Sequence, residues 1–421
     1  MVESILQGLM YPFLFMSMFF QVLLLVSFFE NKKKIDDEKY HTITKYPTVS
    51  VAIPCWNESK TIGGTIESLL NLDYPKDKLK IYVVDNNSTD DTHKVALSYQ
   101  EQYREIIEVM VETEQGKHNA VNKALAASRS DYFGCLDADS FVAPHALERI
   151  IAYFDSNPDV MAVTPCIHIK HPKTFIQRMQ AIEYLMGVFL RKSYGQLDAI
   201  QVTPGPFSIF KKEVFEIIGP YRKAHNTEDF EITLRMHKHN LRIANSHKAL
   251  VYTVGPATPS GFFHQRLRWA RGFLENSLDY KELFFNRKYG NFGMFTLPMA
   301  FLFVFYGLYA AIFSLFSIEN ILNESLTRWS TVGIHPRLPT FDPFYINTNM
   351  MSFLVMIVLT MFLTGLYISN SLTDDRQQFY KNFPIFFFLY PLFVPLFLGR
   401  AVFDTFFKQK NTWVLQDTKK V

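Results

Sequence analysis

Residues Tyr132-Phe-Gly-Cys-Leu-Asp-Ala-Asp139 join a short apolar run to two carboxylates. The apolar part, Tyr132 to Leu136, predicts a buried strand that ends at Asp137. Asp137 and Asp139 alternate along the chain, so they share one side if the strand continues through them. Neighbouring carboxylates repel each other unless a cation lies between them, and Mg²⁺ and Mn²⁺ prefer oxygen ligands. The stretch predicts either a cation site at a strand end or a solvated turn.

This strand is the fourth in a series in which strands and helices alternate. Apolar runs predict three earlier strands, and helical spacing predicts the segments between them: strands at Val49–Pro54, Leu79–Val84 and Ile106–Val111, and helices at Thr61–Leu70, Asp90–Tyr99 and Lys117–Ala127. The alternation predicts an α/β domain with a parallel sheet covered on both faces. Ligands of such sheets bind at the carboxyl ends of the strands, where Asp85 and Asp137 lie. No G-x-G-x-x-G follows the first strand and no G-x-x-x-x-G-K-[ST] occurs, which argues against a dinucleotide-binding or P-loop enzyme.

Composition excludes several classes of protein. The 421 residues include 43 basic and 40 acidic side chains, and a formal net charge of +3 gives no support for a nucleic-acid binder. Phe occurs 41 times, well above ordinary usage. The three cysteines, Cys55, Cys135 and Cys166, form no C-x-x-C pair. They exclude a disulfide scaffold and a cysteine zinc site, and they suit a reducing compartment.

Apolar segments flank the α/β domain, which we expect at 45–257. We predict transmembrane helices at 5–29, 292–318 and 345–372, a transmembrane or re-entrant segment at 383–404, and a tail at 405–421. The uncharged run from Leu6 to Phe29 is long enough to cross a bilayer, which favours a span over a buried core helix. Lys32, Lys33 and Lys34 follow it, so the positive-inside rule places the domain in the cytoplasm. Lysines in the tail favour the cytoplasm as well, whereas four crossings would place the tail outside.

Polar and aromatic residues within the spans allow two interpretations. Asn347, Thr348 and Asn349 lie in the third uncharged run, and Tyr306 and Tyr309 lie in the second. These side chains either line a path for a polar polymer, which cannot cross lipid unaided, or pack the spans and lie near the interfaces.

Two further segments are amphipathic. In the expected interface helix at 258–288, Gln265, Arg268 and Trp269 share one face, opposite an apolar face of Phe263, Leu267, Ala270 and Leu274. This pattern is typical of a membrane surface, and Arg also matches phosphate oxygens. The segment Phe175–Leu190 has a similar apolar stripe and is either core-facing or interfacial. Thr227-Glu-Asp229 begins a predicted helix with acidic residues, which is either a plain helix start or a functional triplet.

Taken together, these motifs resemble membrane-embedded family 2 glycosyltransferases with a GT-A fold. The motifs keep the family's order from about residue 49 to residue 272: Val51–Glu58, Val84–Thr92, Gly116–Ala124, Leu136–Ser140, Thr227–Asp229 and Gln265–Trp269. Each motif alone is weak, but the combination is specific. The flanking spans are similar to those of the polysaccharide-synthase branch, nearest to poly-N-acetylglucosamine and chitooligosaccharide synthases, with hyaluronan and cellulose synthases further off.

The resemblance implies a role for each matching residue. On the donor side, it implies nucleotide-sugar binding by Pro54, Asn57, Glu58, Asp85, Lys117 and Asp137. The metal would be held by Asp139, helped by Asp137. Catalysis would fall to Asp229 as general base, with Glu228 and Arg268. At the acceptor and diphosphate end, the resemblance implies Gln265, Arg268, Trp269 and Gly205.

The implied activity is inverting transfer from a UDP-sugar, with UDP-GlcNAc expected, to a growing β-linked polysaccharide, coupled to membrane translocation. Mg²⁺ or Mn²⁺ would be the cofactor, and the partners would be a UDP-sugar donor, a polysaccharide or lipid acceptor and the lipid bilayer, with no nucleic acid. The expected location is the cell membrane, multi-pass. Transfer of a single sugar to a membrane lipid is the alternative. A transporter is disfavoured because no charge lies deep in the first three spans, and a catalytically dead scaffold because every acidic position is present.

Overall fold

The computed structural model describes residues 2–38, 42–333, 350–373 and 379–407. The strands are β1 Val49–Cys55, β2 Leu79–Asp85, β3 Ile107–Val111, β4 Tyr132–Cys135, β5 Ser140–Val142, β6 Val160–Ile169, β7 Ile209–Lys211 and β8 Arg242–Thr253. The helices are α1 Val2–Glu30, α2 Lys32–Asp37, α3 Ile62–Leu70, α4 Thr92–Gln102, α5 Lys117–Ala127, α6 Ala146–Ser156, α7 Phe175–Gln196, α8 Glu213–Ile218, α9 Glu228–Lys238, α10 Pro259–Asp279, α11 Leu297–Val332, α12 Met350–Leu372 and α13 Phe379–Phe406.

One mixed sheet organises the domain, with strand order β3-β2-β1-β4-β7-β6-β8-β5. The four strands expected from the sequence are present, and β3, β2, β1 and β4 are parallel. The expectation of a wholly parallel sheet is wrong, because β7 is antiparallel to β4 and β6, and β5 is antiparallel to β8. These two strands have three residues each, too few to show a periodic pattern.

Both faces of the sheet are covered, as a central parallel strand requires. Side chains alternate along β1, so that Val51 and Ile53 pack in one core with Ile62 of α3 and Ile150 of α6. Ala52 packs in the other core, with Ala120 and Ala124 of α5. The small side chains on this second face let α5 lie close to the sheet. All three cysteines are buried, and they form no disulfide.

Four helices in the described part of the chain are long and apolar enough to cross a membrane: Gly8–Glu30, Phe292–Val332, Met350–Leu372 and Phe379–Phe406. Large apolar side chains point outward from them, as in Phe15 (57% exposed), Leu315 (67%) and Leu392 (64%). Outward apolar groups at this density are typical of a lipid-facing surface.

Two of these helices differ in extent from the expectation. Helix α11 continues to Val332 instead of ending near residue 318, because the uncharged run marks only its apolar part while helical hydrogen bonding continues beyond it. Its 36 residues span about 54 Å. Helix α13 is continuous through its three prolines, and its 28 residues are long enough to cross a bilayer. Asn347, Thr348, Asn349 and the tail lysines lie outside the described residues.

Helices α7 and α10 lie between the sheet and the membrane-type helices. Helix α7 begins with a capping box, in which Gln177 N donates to Thr174 Oγ1 at 3.2 Å. It contacts β6 and β8 of the sheet and α1, α12 and α13 of the membrane-type helices, which agrees with the core-facing interpretation. An interfacial position of α7 stays a prediction. The apolar face of α10 packs towards the spans, where Leu274 contacts Val304 and Ala401.

A buried polar cluster ties the end of α2 to the domain. The Glu38 carboxylate accepts hydrogen bonds from Lys192 Nζ of α7 and from Ser246 Oγ of β8 at 2.6 Å. His247 Nδ1 lies 3.0 Å from the same carboxylate. Since Glu38 is only 3% exposed, the first membrane-type helix is joined to the domain by charge-assisted bonds shielded from water.

Candidate active site

The loops that follow β1 and β2 are joined by hydrogen bonds. Asn86 N donates to Cys55 O at 2.8 Å, and Thr89 N donates to Asn57 Oδ1 at 2.8 Å. Asn57 has a left-handed backbone (φ 57°), which Asn tolerates better than most residues. Pro54 pairs with Val84 in the parallel ladder. These contacts place the two expected nucleotide loops side by side at the carboxyl end of the sheet.

Asp85 and Glu58 are the carboxylates of this pair of loops. Asp85 is buried and accepts a hydrogen bond from Ser88 N at 3.1 Å, while His93 Nδ1 lies 3.4 Å from its other oxygen. Glu58 accepts a hydrogen bond from Thr61 Oγ1 at 2.7 Å. Burial raises the pKa of Glu58.

The two aspartates of the D-x-D motif lie in a turn. Strand β4 ends at Cys135, and Ser140 N donates to Asp137 O at 2.9 Å, so the strand does not continue through the motif as the sequence suggested. Burial, together with the charges of Asp137 and Glu58, raises the pKa of Asp139 to about 7.

This donor set fits a divalent cation. Oxygen donors from two or three carboxylates are what Mg²⁺ and Mn²⁺ take from proteins, and the mutual repulsion at Asp139 is what a bound cation would relieve. Among the described residues no group of three or more His, Cys, Asp or Glu forms a ready-made cage. Mg²⁺ usually takes only one or two carboxylates from a protein and completes its shell with waters and substrate phosphates.

Lys117 links the D-x-D turn to the acidic triplet. Its Nζ lies 2.7 Å from Asp137 Oδ1 and 3.2 Å from Glu228 Oε1. Burial alone would lower the pKa of Lys117, but Asp137 and Glu228 raise it well above its usual value. Gly205 lies against this group, since a Cβ there would fall 2.7 Å from Lys117 Nζ and 3.3 Å from Asp137 Oδ1.

The triplet Thr227-Glu-Asp229 forms the start of α9. Thr227 is its N-cap residue, and Asn276 Nδ2 of α10 donates to Thr227 Oγ1 at 2.9 Å. Thr203 Oγ1 donates to Asp229 O at 3.1 Å, which fixes the backbone of the expected base. Burial and the charge of Glu228 raise the pKa of Asp229. Burial would also raise the pKa of Glu228, but Lys117 and Arg268 lower it.

A strained turn precedes the triplet. Ala224, His225 and Asn226 have φ values of 39°, 51° and 61°, a conformation that costs energy in each non-glycine residue. Helix α10 holds this turn at three points. Asn276 Nδ2 donates to Ala224 O at 3.0 Å, Arg268 Nη1 donates to Asn226 O at 2.9 Å, and His225 lies 3.1 Å from Glu275 and 2.8 Å from Asp279.

His225, Glu275, Asn276 and Asp279 are the functional residues that sequence reasoning missed. A signal for them was present, because the polar face of Gln265, Arg268 and Gly272 continues at helical spacing to 275, 276 and 279. His225 gave no such signal, since its role depends on the backbone turn.

The structure brings together most of the expected site residues. A cavity of about 280 Å³, counting its open mouth, is lined by Lys117, Gly205, Glu228 and Asp229, and by Val121, Cys135, Thr203, Pro204, Ser208, Phe210 and Tyr221. Asp137 contacts Lys117, one of the lining residues. Pro54 and Asp85 lie near the ends of β1 and β2, and Asn57 and Glu58 lie in the loop after β1. Trp269 lies outside this lining and is 37% exposed. Gln265 also lies outside it, and its buried Oε1 has no hydrogen-bond partner among the described residues.

The domain matches a known family of enzymes. Residues 50–219 match the family described as glycosyl transferase family 2. The chain therefore carries a family 2 glycosyltransferase domain, and the expected GT-A-like α/β fold between membrane-type helices is confirmed.

Two curated relatives are poly-beta-1,6-N-acetyl-D-glucosamine synthases. The protein from Staphylococcus epidermidis is 30% identical over 226 residues, 53% of this chain and 54% of that protein. The protein from Staphylococcus aureus strain COL is 29% identical over 293 residues, 69% of each chain. The chain thus matches about half the length of the first relative. A mannosyltransferase from Pyrobaculum calidifontis, solved with GDP-Man and Mn²⁺, shares the fold with a TM-score of 0.59 and 17% identity, over 97% of this chain and 100% of the other.

Proposed function

We propose that the protein transfers N-acetylglucosamine from UDP-GlcNAc to a growing β-linked polysaccharide, with inversion at the anomeric carbon. The donor sugar is suggested by the two synthases, which carry N-acetyl-D-glucosamine in their names. The family 2 domain supports the class of reaction, since a glycosyltransferase needs a nucleotide-sugar donor and a glycan acceptor.

The contact between α10 and α13 is the observation that carries the polymer hypothesis. Helix α10 bears Gln265, Arg268 and Trp269, the expected acceptor end, and it packs directly on the last membrane-type helix. A glycan leaving the acceptor end would meet the spans at once. This geometry supports extension of a polymer at the membrane, coupled to its passage across.

Asp229 is the proposed general base. It lies at the start of α9, and the raised pKa of its carboxyl group favours uptake of a proton from an acceptor hydroxyl. Asp137 and Asp139 would hold Mg²⁺ or Mn²⁺, which when bound neutralises negative charge on the departing diphosphate. Lys117 and Arg268 would add positive charge at the same end. One displacement by the acceptor hydroxyl inverts an α-linked donor and gives a β-linkage.

Residues in the adjoining loops would bind the nucleotide. Asp85 and Asn57 are held by backbone contacts at the ends of β2 and β1, so their side chains are pre-organised for the base and ribose. Lys32, Lys33 and Lys34 support a cytoplasmic domain by the positive-inside rule. UDP-sugars would then reach the site from the cytoplasm, and the protein would be a multi-pass protein of the cell membrane.

The test is label incorporation by the purified protein in lipid vesicles. UDP-GlcNAc with Mn²⁺ or Mg²⁺ is supplied, with other UDP-sugars and GDP-Man as competing donors, and the product is separated by size and solvent partition. A long water-soluble product made from UDP-GlcNAc supports the proposal. A short, lipid-extractable product would replace it with transfer of a single sugar to a lipid. No incorporation from UDP-GlcNAc by the wild-type protein would overturn the assignment of the donor. Equal incorporation by the wild type and Asp229→Asn would overturn the assignment of the base.

A further inference from the structure

A buried polar cluster lies where α7, α10 and α13 meet, outside the cavity described above. Arg266 Nη2 of α10 donates to Glu183 Oε2 of α7 at 2.5 Å. Tyr390 of α13 donates its hydroxyl hydrogen to Glu183 Oε1 at 3.0 Å. Both carboxylate oxygens of Glu183 are therefore occupied, one by a charged donor and one by a membrane-type helix.

The carboxylate of Glu183 compensates the buried positive charge of Arg266. The residue is 4% exposed, and its Nε and Nη1 atoms are buried without a hydrogen-bond partner in the described part of the chain. Its guanidinium carbon lies 4.1 Å from the centre of the Trp269 ring and 4.9 Å from that of Phe262. A guanidinium over an aromatic face is attracted to it, and the attraction is stronger away from water.

Trp269 is the exposed end of the same chain of contacts. Arg266 covers one face of its ring, yet 37% of the residue remains accessible. An indole that is held by a guanidinium and still partly accessible to solvent can stack on a sugar ring. Because Tyr390 also lies near Phe262, at a ring-centre distance of 6.5 Å, the position of α13 affects both supports of Arg266.

We propose that Glu183 and Tyr390 are positioning residues for the acceptor sugar. They hold Arg266 against the inner face of Trp269, so that the outer face is presented to the glycan at a fixed angle. This inference rests on the proposed function of the Gln265–Trp269 segment. It assigns Tyr390, a residue of the membrane-type helix α13, a role in positioning the acceptor.

Tyr390→Phe is the mild probe, because it removes one hydroxyl and leaves the Glu183–Arg266 pair. Tyr380→Phe is its matched control, on the same helix and 84% exposed. Initial rates are measured with UDP-GlcNAc, Mn²⁺ and a β-1,6-linked N-acetylglucosamine tetramer as acceptor probe. We expect Tyr390→Phe to raise the KM for the tetramer by about three- to tenfold, which lies within the usual net value of one intramolecular hydrogen bond, with the donor KM within about twofold. Equal changes in both KM values, or an unchanged acceptor KM, would overturn the inference.

A second measurement does not depend on turnover. In a variant that keeps Trp269 as its only tryptophan, the emission maximum and acrylamide quenching of Trp269 should change on Tyr390→Phe and stay unchanged on Tyr380→Phe. Identical spectra in all three proteins would contradict a positioning role. If the wild-type protein transfers no N-acetylglucosamine, the proposed function fails while this measurement still decides the positioning role.

Glu183→Gln should have a larger effect on acceptor KM, but it leaves a buried cation unpaired and threatens folding. The double variant Glu183→Gln, Arg266→Gln removes both charges and restores a folded reference. Loss of acceptor affinity in this folded double variant agrees with the inference, and wild-type acceptor affinity in it would refute the inference.

Discussion

Gly272 of α10 lies directly against Thr227, the first residue of the acidic triplet. A Cβ atom added at position 272 would fall 2.2 Å from Thr227 Oγ1 and 2.4 Å from its Cγ2. Real side chains do not approach so closely, and Thr227 is held in place by Asn276 and by its own position as N-cap of α9. Helices α9 and α10 can therefore approach at this point only because residue 272 has no side chain.

Gly272→Ala should push α10 away from α9. We expect a lower thermal midpoint from overpacking, at a cost of about 1–3 kcal/mol, and a larger loss of turnover, because Asn276 and Arg268 would leave the strained turn. The measurement is a thermal melt beside the initial rate of transfer. Gly8→Ala is the control, since an added Cβ at Gly8 meets no atom of the described residues within 4 Å and alanine favours a helix. Equal behaviour of the two variants would show that the close approach is unimportant.

Asp229→Asn should keep donor binding and lose turnover. An amide cannot accept the acceptor proton, and general base catalysis is typically worth about 10²–10⁴ in rate. Initial rates and UDP-GlcNAc binding by calorimetry separate the two effects. Asp73→Asn, at an exposed position outside the lining of the cavity, is the matched control. Turnover within a few-fold of wild type would remove Asp229 from the role of base.

The contribution of His225 to stability should disappear at high pH. Hydrogen bonding to Glu275, with a further bond to Asp279, outweighs burial and raises the pKa of His225 from 6.5 to about 9. A raised pKa means that the stabilisation is complete below about pH 6.5 and is lost as the pH rises through about 9. His225→Gln should therefore lower the thermal midpoint at pH 6 and have little effect at pH 10.

A matched control for His225 is His145→Gln. His145 also faces two carboxylates, but its side chain is 68% exposed, so the pair is weak at any pH. A difference between wild type and His225→Gln that is constant from pH 6 to pH 10 would count against the charged clamp.

Gly205→Ala should separate activity from stability. The new Cβ would meet the flexible end of Lys117, which can move, so we expect the thermal midpoint to change by no more than a few degrees. The displaced ammonium group would leave Asp137, and the KM for the donor should rise. Gly134→Ala provides the contrast, because its Cβ would meet Ser208 O of the backbone at 3.1 Å and Ile209 Cδ1 at 2.3 Å, and should destabilise the sheet. A melting loss at Gly205 as large as that at Gly134 would contradict this account.

Asp139→Asn should weaken the dependence of donor binding on metal. Mutation of residues that only support a metal ligand typically lowers metal affinity by about tenfold or more. Removal of an anionic ligand itself should lower the affinity for a divalent cation by at least as much. Titrating UDP with and without Mn²⁺ measures it, and Asp159→Asn, on the surface beside Arg242, is the control. An unchanged response to Mn²⁺ would exclude Asp139 as a ligand.

The central strands could be predicted because strands that are buried on both faces consist mostly of apolar residues. Apart from Lys80 at its start, the run Leu79–Val84 is apolar on both faces, and it is followed by the polar residue Asp85 at the edge of the sheet. Strands β5 and β7 could not be predicted, since three residues carry no period and their pairing is set by distant partners. The length of α11 was missed for a related reason: hydropathy reports where lipid would lie and gives no information on where a helix ends.

The candidate site was predictable as a set of residues but not as a geometry. Family motifs identified Lys117, Asp137 and Glu228, yet no pattern indicated that one ammonium group would bridge the two carboxylates. The strained turn at 224–226 could not be predicted from the sequence. It contains no glycine to mark a positive φ, and the contacts that hold it come from the distant helix α10. Glu183 and Tyr390 are 207 residues apart in the sequence, and only the fold brings them into contact.

Because all three cysteines are buried, thiol reagents should label the native protein very little. One cysteine introduced at an exposed position would then be the dominant site of labelling, without any cysteine having to be removed first. Asp73→Cys would mark the face of the catalytic domain, and Leu326→Cys, 58% exposed at position 326 in the far part of α11, would mark the other end of that helix. In sealed cells, a reagent that cannot cross lipid would therefore read the sidedness of the whole chain, one residue at a time.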